Sequence, residues 1–222
     1  MLKEIREKYN NEIEEILEAL KWGRFSNLDE DCFEEDVIEP FKEHYKKPFG
    51  WDNGCTKGVL IFKNFNFVIK IPFLYCDGEG LHGAEEGREE WDYCSQEENR
   101  YERAKKEGLE KVFLETSFLE EVNFHPVYIQ SFAEPLNKII DKESRRSSTK
   151  EDINNVEIIM EENNYSYISC EWEADIYALY GKFFYKKFKE FIKNNRIEDL
   201  RQANVGYVGL SPIILDYAGF DD

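Results

Sequence analysis

The sequence predicts an α+β protein in which strands and helices occupy separate parts of the chain. Three observations support this: a helical pattern at the N-terminus, two pairs of β-rich runs on either side of a charged helix, and a long amphipathic helix followed by short strands. Such segregation is typical of α+β folds, whereas a parallel sheet requires regular alternation of strands and helices. The 222 residues suffice for one large domain or for two small lobes.

The first third of the chain predicts a helix, a loop and a hairpin. Apolar residues recur at helical spacing over residues 2–22, and Gly23 ends the helix. Residues 25–40 are acidic and are predicted as a loop that contains a short helix. Residues 57–73 form two β-rich runs broken at 63–64, which predicts a β-hairpin.

The middle of the chain predicts a helix between this hairpin and a second one. After a segment rich in Gly and Glu, residues 91–106 are predicted as a helix that stops at Gly108. Two apolar runs, 112–122 and 127–132, are predicted as strands, with 123–126 as the turn between them.

The last third predicts a polar region, a long helix and two short strands. Residues 134–165 are polar with short helical patterns, and 142–152 are predicted to be mobile. Residues 170–194 predict a helix with a lysine-rich solvated face and a broad apolar core face. That core face comprises Trp172, Ile176, Leu179, Tyr180, Phe183, Phe184, Phe188, Phe191 and Ile192. The strands follow after residue 204.

Composition excludes several classes of function. The formal charge of −18 disfavours binding to nucleic acid and to anionic membranes. No apolar stretch is long enough for a membrane helix, and the N-terminus has no apolar signal core. Five cysteines without a C-x-x-C pair predict reduced thiols, and three dispersed histidines predict no metal cluster. We therefore expect a soluble cytoplasmic protein.

Three polar residues near the end of the chain predict a phosphoryl-transfer site. Asn204 follows Asp199 by five residues, and Asp216 follows Asn204 by twelve, directly after an apolar strand. Carboxylate and amide oxygens are ligands that suit Mg²⁺, and the metal allows so acidic a protein to accept a polyphosphate. Phosphoryl transfer needs mainly positioning and neutralised charge from the protein.

These segments resemble motifs of a known enzyme family. Asp199–Asn204 (DLRQAN) resembles the catalytic loop, and Asp216–Gly219 (DYAG) the metal-binding D-F-G segment, of protein-kinase-like and aminoglycoside-phosphotransferase-like enzymes. The pattern covers roughly residues 50–220 and is similar to small kinase-like proteins of bacteria and their phages. The resemblance implies that Asp199 is the base or orients the acceptor hydroxyl, and that Asn204 and Asp216 hold Mg²⁺.

Upstream features follow in the order of the same family. Val68-Ile69-Lys70 resembles the third-strand V-A-I-K motif, and the helix 91–106 takes the place of the C-helix. Glu97 or Glu98 supplies the acid that pairs with Lys70. Glu97 is preferred because it shares a helix face with the residues four and seven positions later.

The resemblance also implies which residues contact a nucleotide. The loop 53–58 takes the place of the phosphate-covering loop, and 127–132 that of the last strand before a hinge at 130–134. The implied nucleotide-binding residues are Gly54, Thr56, Lys57, Lys70, Gln130 and Phe132. The implied regions are an N-terminal helix and acidic extension (1–49), a first lobe with the sheet and its helix (50–133) and a reduced helical second lobe (134–222).

The sequence also departs from the family pattern. Ile197-Glu198 replaces the His-Arg that precedes the catalytic Asp, and Ala218 replaces the Gly of D-F-G. The sequence ends at Asp222, with no activation segment and no large helical lobe after it. These departures predict a reduced form of the fold without a phosphorylation-controlled switch.

Each implied site residue also has a purely structural explanation. Lys70 fits a surface lysine, Glu97 a solvated acidic helix face, and Asp199 and Asn204 fit turn residues. Asp216 is harder to explain structurally, because the apolar strand before it draws the carboxylate towards a core, where it needs a partner or a metal.

Two functions from different classes follow from this pattern. The first is an ATP- and Mg²⁺-dependent phosphotransferase with an unidentified acceptor, in which Lys70 and Glu97 clamp the nucleotide phosphates. The alternative is a catalytically inactive kinase-like module that binds or inhibits a protein partner. The departures from the family motifs and the charge of −18 favour this alternative.

Overall fold

The chain forms two compact units, each containing helices and antiparallel strands. The computed structural model describes four stretches, residues 2–74, 92–163, 168–197 and 200–217. Unit 1 comprises Met1–Glu98 and Glu115–Phe132, and unit 2 comprises Asn99–Leu114 and Ala133–Asp222. The predicted α+β class is confirmed, because every paired strand in the sheets of both units is antiparallel to its neighbours.

In the described residues, helices and strands occur in separate groups along the chain. The helices are α1 (Leu2–Lys8), α2 (Asn10–Leu20), α3 (Glu39–His44), α4 (Tyr93–Lys106), α5 (Lys150–Asn163) and α6 (Cys170–Asn194). The strands are β1 (Gly50–Asn53), β2 (Lys57–Phe62), β3 (Phe67–Pro72), β4 (Thr116–Val122), β5 (His125–Ser131), β6 (Glu134–Pro135), β7 (Val205–Val208) and β8 (Ser211–Ile214).

The sheet of unit 1 has one apolar face and one polar face. Its strand order is β1-β2-β3-β5-β4. Because side chains alternate along a strand, Ile69 and Ile71 point to the opposite side from Lys70. The apolar face packs into one core with residues of α1, α2 and α3; its members are Leu60, Phe62, Phe67, Ile69, Ile71, Val127 and Ile129. The N-terminal region predicted as an extension therefore shares the core of this sheet.

The N-terminal helices differ in detail from the prediction. The single helix predicted over 2–22 divides at Tyr9, whose φ of −116° and ψ of 26° are not helical. The short helix predicted within the loop 25–40 is present as a π-helical turn over Glu34–Ile38, which runs directly into α3. Acidic side chains dominate this turn and hide the apolar signal of Val37 and Ile38, which are both buried.

Both predicted hairpins are present, the first with a longer turn and the second with a shorter turn than predicted. β2 and β3 are joined by a 3-10 turn that ends at Asn66 with φ 62°. β4 and β5 are joined at Asn123 and Phe124, which both have positive φ, as tight hairpins require. The strand predicted from 112 begins only at Thr116, because a 3-10 turn occupies Glu110–Val112.

One glycine in unit 1 is required by close packing. A Cβ placed on Gly58 in β2 would lie 2.1 Å from the ring of Phe33. No side chain larger than hydrogen fits there without displacing the strand or the ring. The absence of a side chain at Gly58 thus allows β2 to pack closely against Phe33, in the segment that leads into α3.

The core of unit 2 is formed mainly by α5, α6 and the short β7–β8 strands. Trp172, Tyr185 and Phe188 of α6 are fully buried in this core. α6 is interrupted at Gly181, where φ is 84° and ψ is 166°. The apolar face predicted for this helix is therefore wrong in part, because Phe183 is 85% exposed and Leu179 is 44% exposed.

The polar region before α6 is more ordered than the sequence predicts. The stretch predicted as mobile contains a 3-10 turn and the start of the 14-residue helix α5. The Asp175 carboxylate, fully buried, accepts the backbone N–H groups of Ser147 and Ser148 at 2.8 and 2.7 Å. Across the four described stretches, no helix combines the length and the apolar character needed to cross a membrane.

Candidate functional site

The polar face of the sheet in unit 1 carries a buried group of opposite charges. Lys70 Nζ lies 2.7 Å from Glu97 Oε2, and Lys57 Nζ lies 2.7 Å from Glu97 Oε1. Lys57 is 5% exposed, Lys70 is 4% exposed and Glu97 is fully buried. We refer to Lys57, Lys70 and Glu97 as the Lys–Glu–Lys cluster. The structure thus pairs Lys70 with Glu97 rather than Glu98, which accepts the backbone N–H of Phe118.

Two further side chains orient the carboxylate of the cluster. The Thr116 hydroxyl donates to Glu97 Oε2 at 2.7 Å, and Gln130 Nε2 donates to the Thr116 Oγ1 at 2.8 Å. Both residues are almost completely buried. One carboxylate on α4 is therefore connected, directly or through Thr116, to side chains on β2, β3, β4 and β5.

The local sequence explains why these groups meet. Val59 on β2 and Tyr128 on β5 pair in register with Lys70, so all three side chains lie on the polar face. On α4, Cys94, Glu97 and Ala104 follow helical spacing and are all completely buried. The same helix face that contributes apolar packing thus directs one carboxylate to the sheet.

Burying the three charges of the cluster costs free energy of desolvation, and the ion pairs between them are strong once formed. Removing an ion from water into a protein interior costs several kcal/mol even after relaxation, and the attraction between opposite charges offsets this only with good geometry. Here each carboxylate oxygen receives an ammonium group at hydrogen-bond distance, and one receives a hydroxyl as well. Such an arrangement holds both lysine side chains in fixed positions.

A second carboxylate lies at the beginning of α4. Asp92 Oδ1 accepts the N–H groups of Cys94 and Ser95 at 3.0 Å each, which caps the helix, and Oδ2 accepts the Tyr128 hydroxyl. Burial raises the pKa of Asp92, and burial also raises the pKa of the Cys94 thiol well above its usual range. Asp92 and Tyr128 line a pocket of about 200 Å³ together with Phe118.

The predicted phosphate-covering loop lies between β1 and β2. Gly54 N donates to Lys57 O at 3.1 Å, and Thr56 O accepts the N–H of Phe73 at 2.8 Å. Gly54 and Thr56 are therefore loop residues. Lys57, predicted both at the end of this loop and as the first residue of the β-rich run 57–73, is the first residue of β2 and belongs to the Lys–Glu–Lys cluster.

The residues predicted at the hinge lie at the end of β5. The Gln130 amide group points into the polar face, where it donates to Thr116. Phe132 is half-buried, donates its backbone N–H to Asn66 O at 2.9 Å, and has Lys63 Nζ 5.5 Å from its ring centroid. Phe132 is the last residue of unit 1, and the chain enters unit 2 at Ala133.

Unit 2 brings the two predicted metal ligands together at the open end of a hairpin. Asn204 directly precedes β7, and Asp216 follows β8 by two residues. The Asn204 carbonyl accepts the N–H groups of Leu215 at 2.8 Å and Asp216 at 3.2 Å. The backbones of Asn204 and Asp216 are thus directly hydrogen-bonded, although the two residues are twelve positions apart.

The segment after Asp216 is anchored by groups that sequence reasoning missed. Arg100 Nη1 donates to the Tyr217 carbonyl at 2.6 Å, and the Tyr217 hydroxyl donates to Leu114 O at 2.8 Å. The Tyr217 ring packs edge-on against Phe113, with 5.2 Å between the ring centroids. The sequence feature that could have indicated the contact of Arg100 with Tyr217 is the position of Arg100 on α4, three residues after Glu97.

Asp199, the predicted catalytic residue, lies outside the described residues, as do Ala218 and Gly219. Within the described stretches, no group of three or more His, Cys, Asp or Glu side chains converges on one point. Amide and carboxylate oxygens, the types that Asn204 and Asp216 carry, are ligands that Mg²⁺ accepts alongside water and substrate phosphates.

Comparisons with known proteins assign neither a family nor a function to the chain. No protein-family model, no curated protein and no solved structure matches the chain. The functional conclusion therefore depends on the two groups of residues described above.

Proposed function

We propose that the protein is an ATP- and Mg²⁺-dependent phosphotransferase with a reduced protein-kinase-like fold. The observation that carries the proposal is the buried ion pair between Lys70 on a central strand and Glu97 on α4. A lysine fixed in this way presents an ammonium group in a defined position, which is what recognition of nucleotide phosphates requires.

Energetics support a functional role for the ion pair. Replacing buried ion pairs by apolar side chains of similar volume is often neutral or stabilising. The opposite face of the same sheet shows that this chain readily builds an apolar core with Phe67, Ile69 and Ile71. The two lysines on the other face, with the α4 carboxylate that pairs with them, are therefore better explained by ligand binding than by stability.

The order of the elements also supports the kinase-like interpretation. Three antiparallel strands precede α4, two more strands of the same sheet follow it, and the last described elements of unit 2 form a β-hairpin flanked by Asn204 and Asp216. The pairing of Lys70 with Glu97 and the hydrogen bonds between the backbones of Asn204 and Asp216 agree with roles that the sequence motifs suggest separately. Agreement between independent features carries more weight than any one of them.

The proposed roles follow from the chemistry of each group. Lys70, held by Glu97, binds the nucleotide phosphates, and Asn204 and Asp216 supply oxygen ligands for the metal. Bound Mg²⁺ would neutralise negative charge on the phosphates. Asp199 is proposed to orient the acceptor hydroxyl. Thr116 and Gln130 position Glu97 and contact no substrate in this proposal.

The test is ATP turnover in the presence of Mg²⁺ by the wild type and by Asp216→Ala, Lys70→Met and Glu102→Ala. Glu102 is a matched surface control on α4, with a side chain 51% exposed. We expect wild-type activity in the control and at least about a tenfold loss in the other two variants, since each removes a charge-assisted contact. Equal background rates in all four proteins would reject the enzyme.

One further outcome would favour the alternative function. If the wild type binds nucleotide but never transfers the γ-phosphate, the inactive binding module becomes the better explanation. A protein partner recovered equally by wild type and Asp216→Ala would then support that function.

A further inference from the structure

A small pocket in unit 1 has no part in the proposed function. It has a volume of about 200 Å³ and lies on the polar face of the sheet, beside the start of α4. Its walls combine an apolar group and a polar group of side chains: Leu74, Phe118 and Pro126 are apolar, and Asp92, Glu121 and Tyr128 are polar. Pockets for drug-sized ligands measure roughly 300–1,000 Å³, so this pocket suits a ligand of about the size of one side chain.

A β-bulge in β4 brings Glu121 to the pocket. Phe118 pairs with Tyr128, and the register shifts between Phe118 and Glu120. Side chains three positions apart on a regular strand point to opposite faces of the sheet. The extra residue in the bulge instead places Phe118 and Glu121 on the same face, where both line the pocket. Bulges commonly re-aim side chains next to functional sites, and this one adds a carboxylate to an aromatic wall.

The pocket combines aromatic rings with negative charge. The rings of Phe118 and Tyr128 meet edge to face at 79°, with 5.7 Å between their centroids. The face of an aromatic ring attracts a cation, and Asp92 and Glu121 add two carboxylates to the same walls. Glu98 adds a third carboxylate nearby, because it accepts the N–H of Phe118 at 3.1 Å. Among the described residues that line the pocket, none is positively charged.

Two positive groups near the pocket are paired with other partners. Lys70 is opposite Tyr128 in the sheet, but its ammonium group contacts Glu97 at 2.7 Å. Arg6 Nη1 contacts the hydroxyl of Ser117, whose side chain lies on the opposite face of β4 from the pocket. Neither group forms an ion pair with a carboxylate that lines the pocket.

Asp92 is a buried carboxylate that a bound cation would stabilise. It is 6% exposed, and its three hydrogen-bond donors are the N–H groups of Cys94 and Ser95 on Oδ1 and the Tyr128 hydroxyl on Oδ2. A carboxylate has about four acceptor positions, so Oδ2 can accept one more donor. Burial raises the pKa of Asp92 because the charged form is desolvated, and a cation in the pocket offsets that cost.

We propose that this pocket binds a primary ammonium group carried on a short aliphatic chain. The ammonium group donates to Asp92 and Glu121, and the methylene groups pack against Leu74, Phe118 and Pro126. Carboxylate acceptors favour an ammonium group that has N–H donors over a quaternary one. Free alkylamines and lysine side chains share this chemistry. The inference does not depend on the phosphotransferase proposal, because no residue assigned to nucleotide or metal takes part.

The experiment is an NMR titration of the full chain at pH 7 with butylammonium chloride and with 1-butanol, a neutral molecule that has the same number of non-hydrogen atoms. We expect butylammonium to bind with a dissociation constant of about 1 mM and 1-butanol to bind at least about tenfold more weakly. Glu121→Gln and Asp92→Asn should each weaken butylammonium binding about fivefold to tenfold, because each removes a charge-assisted hydrogen bond.

The matched control is Glu120→Gln, which removes the same charge from the neighbouring exposed position of β4. This variant should bind butylammonium like the wild type. Both test substitutions are compatible with the fold, because Glu121 is exposed and asparagine caps a helix as well as aspartate does. The same affinity in Glu121→Gln and Glu120→Gln, or equal binding of butylammonium and 1-butanol to the wild type, overturns the inference.

Two short capped peptides identify the source of the ammonium group. One has a single lysine between glycines, and the other has norleucine, which lacks the ammonium group, in its place. Binding of the lysine peptide at least as tight as that of butylammonium, with no binding of the norleucine peptide, supports the site and assigns it to a lysine of a protein partner. Weaker binding of the lysine peptide than of butylammonium supports the site and assigns it to a free amine. No binding of either butylammonium or the lysine peptide overturns the inference.

Discussion

Replacing Glu97 by alanine should destabilise unit 1 strongly. The substitution removes the carboxylate that receives two ammonium groups and the Thr116 hydroxyl, all in a buried environment. Removing one partner of a buried ion pair typically costs about 3–5 kcal/mol, because the remaining charge stays desolvated. For a chain of this size each kcal/mol lowers the melting temperature by about 2–4 °C, so a decrease of about 6–20 °C is expected.

The assay is thermal and urea-induced unfolding followed by circular dichroism. The matched control is Glu102→Ala on the same helix, where a half-exposed side chain pairs with Lys105 at 3.1 Å. Such exposed pairs contribute less than about 1 kcal/mol, so the control should unfold almost like the wild type. If Glu97→Ala lies within about 1 kcal/mol of this control, the two ammonium groups are not buried against Glu97 as described.

Three other perturbations test separate parts of the structure. Gly58→Ala should lower the free energy of unfolding in urea by about 1–3 kcal/mol, because the new methyl group would overlap Phe33. Gly54→Ala, with open space around its Cβ, should be nearly neutral. Equal effects of the two substitutions would contradict the close packing. Burial raises the pKa of Asp92 above its ordinary 3.8, so the folded state binds this proton more tightly than the unfolded chain. As pH rises through the folded pKa, the wild type should therefore lose stability relative to Asp92→Asn. A stability difference between the two proteins that stays constant from pH 4 to pH 7 would contradict this. Tyr217→Phe should cost about 1 kcal/mol in the same unfolding assay, because the hydroxyl hydrogen bond to a buried carbonyl is lost, and an unchanged midpoint would show that this hydrogen bond contributes nothing.

The Lys70–Glu97 pair was predicted from the resemblance of Val68-Ile69-Lys70 and of the following helix to kinase-like motifs. The 3.6-residue period of α4 then favoured Glu97 over Glu98. The structure pairs these two residues. The sequence placed Lys57 at the start of the β-rich run 57–73 but did not predict its contact with Glu97, because no local pattern relates the two positions.

The packing of the N-terminal region could also have been inferred more fully. The run Phe67–Ile71 has three apolar residues on one face and Lys70 on the other, so its apolar face needs a covering layer. Residues of α1, α2 and α3 provide that layer. No local pattern identifies which distant segment covers a sheet, and the N-terminal region was therefore predicted as a separate extension.

The apolar face of α6 was predicted incorrectly in part for a local reason. A regular helix over 170–194 would place Leu179 and Phe183 on the buried side, but the positive φ of Gly181 changes the direction of the side chains around it. A single glycine within a helical pattern is compatible with either outcome, since its cost is only about 1 kcal/mol.

Binding of ATP, measured by calorimetry with and without Mg²⁺, tests the central claim most directly. We predict binding to the wild type that Mg²⁺ strengthens, a loss of the Mg²⁺ effect in Asp216→Ala, and no binding to the apolar triple variant Lys57→Met, Glu97→Leu, Lys70→Met. The triple variant should be at least as stable as the wild type, because apolar side chains can replace a buried ion cluster without loss of stability. Equal ATP affinity in all three proteins would contradict the proposal that the cluster exists to bind phosphates.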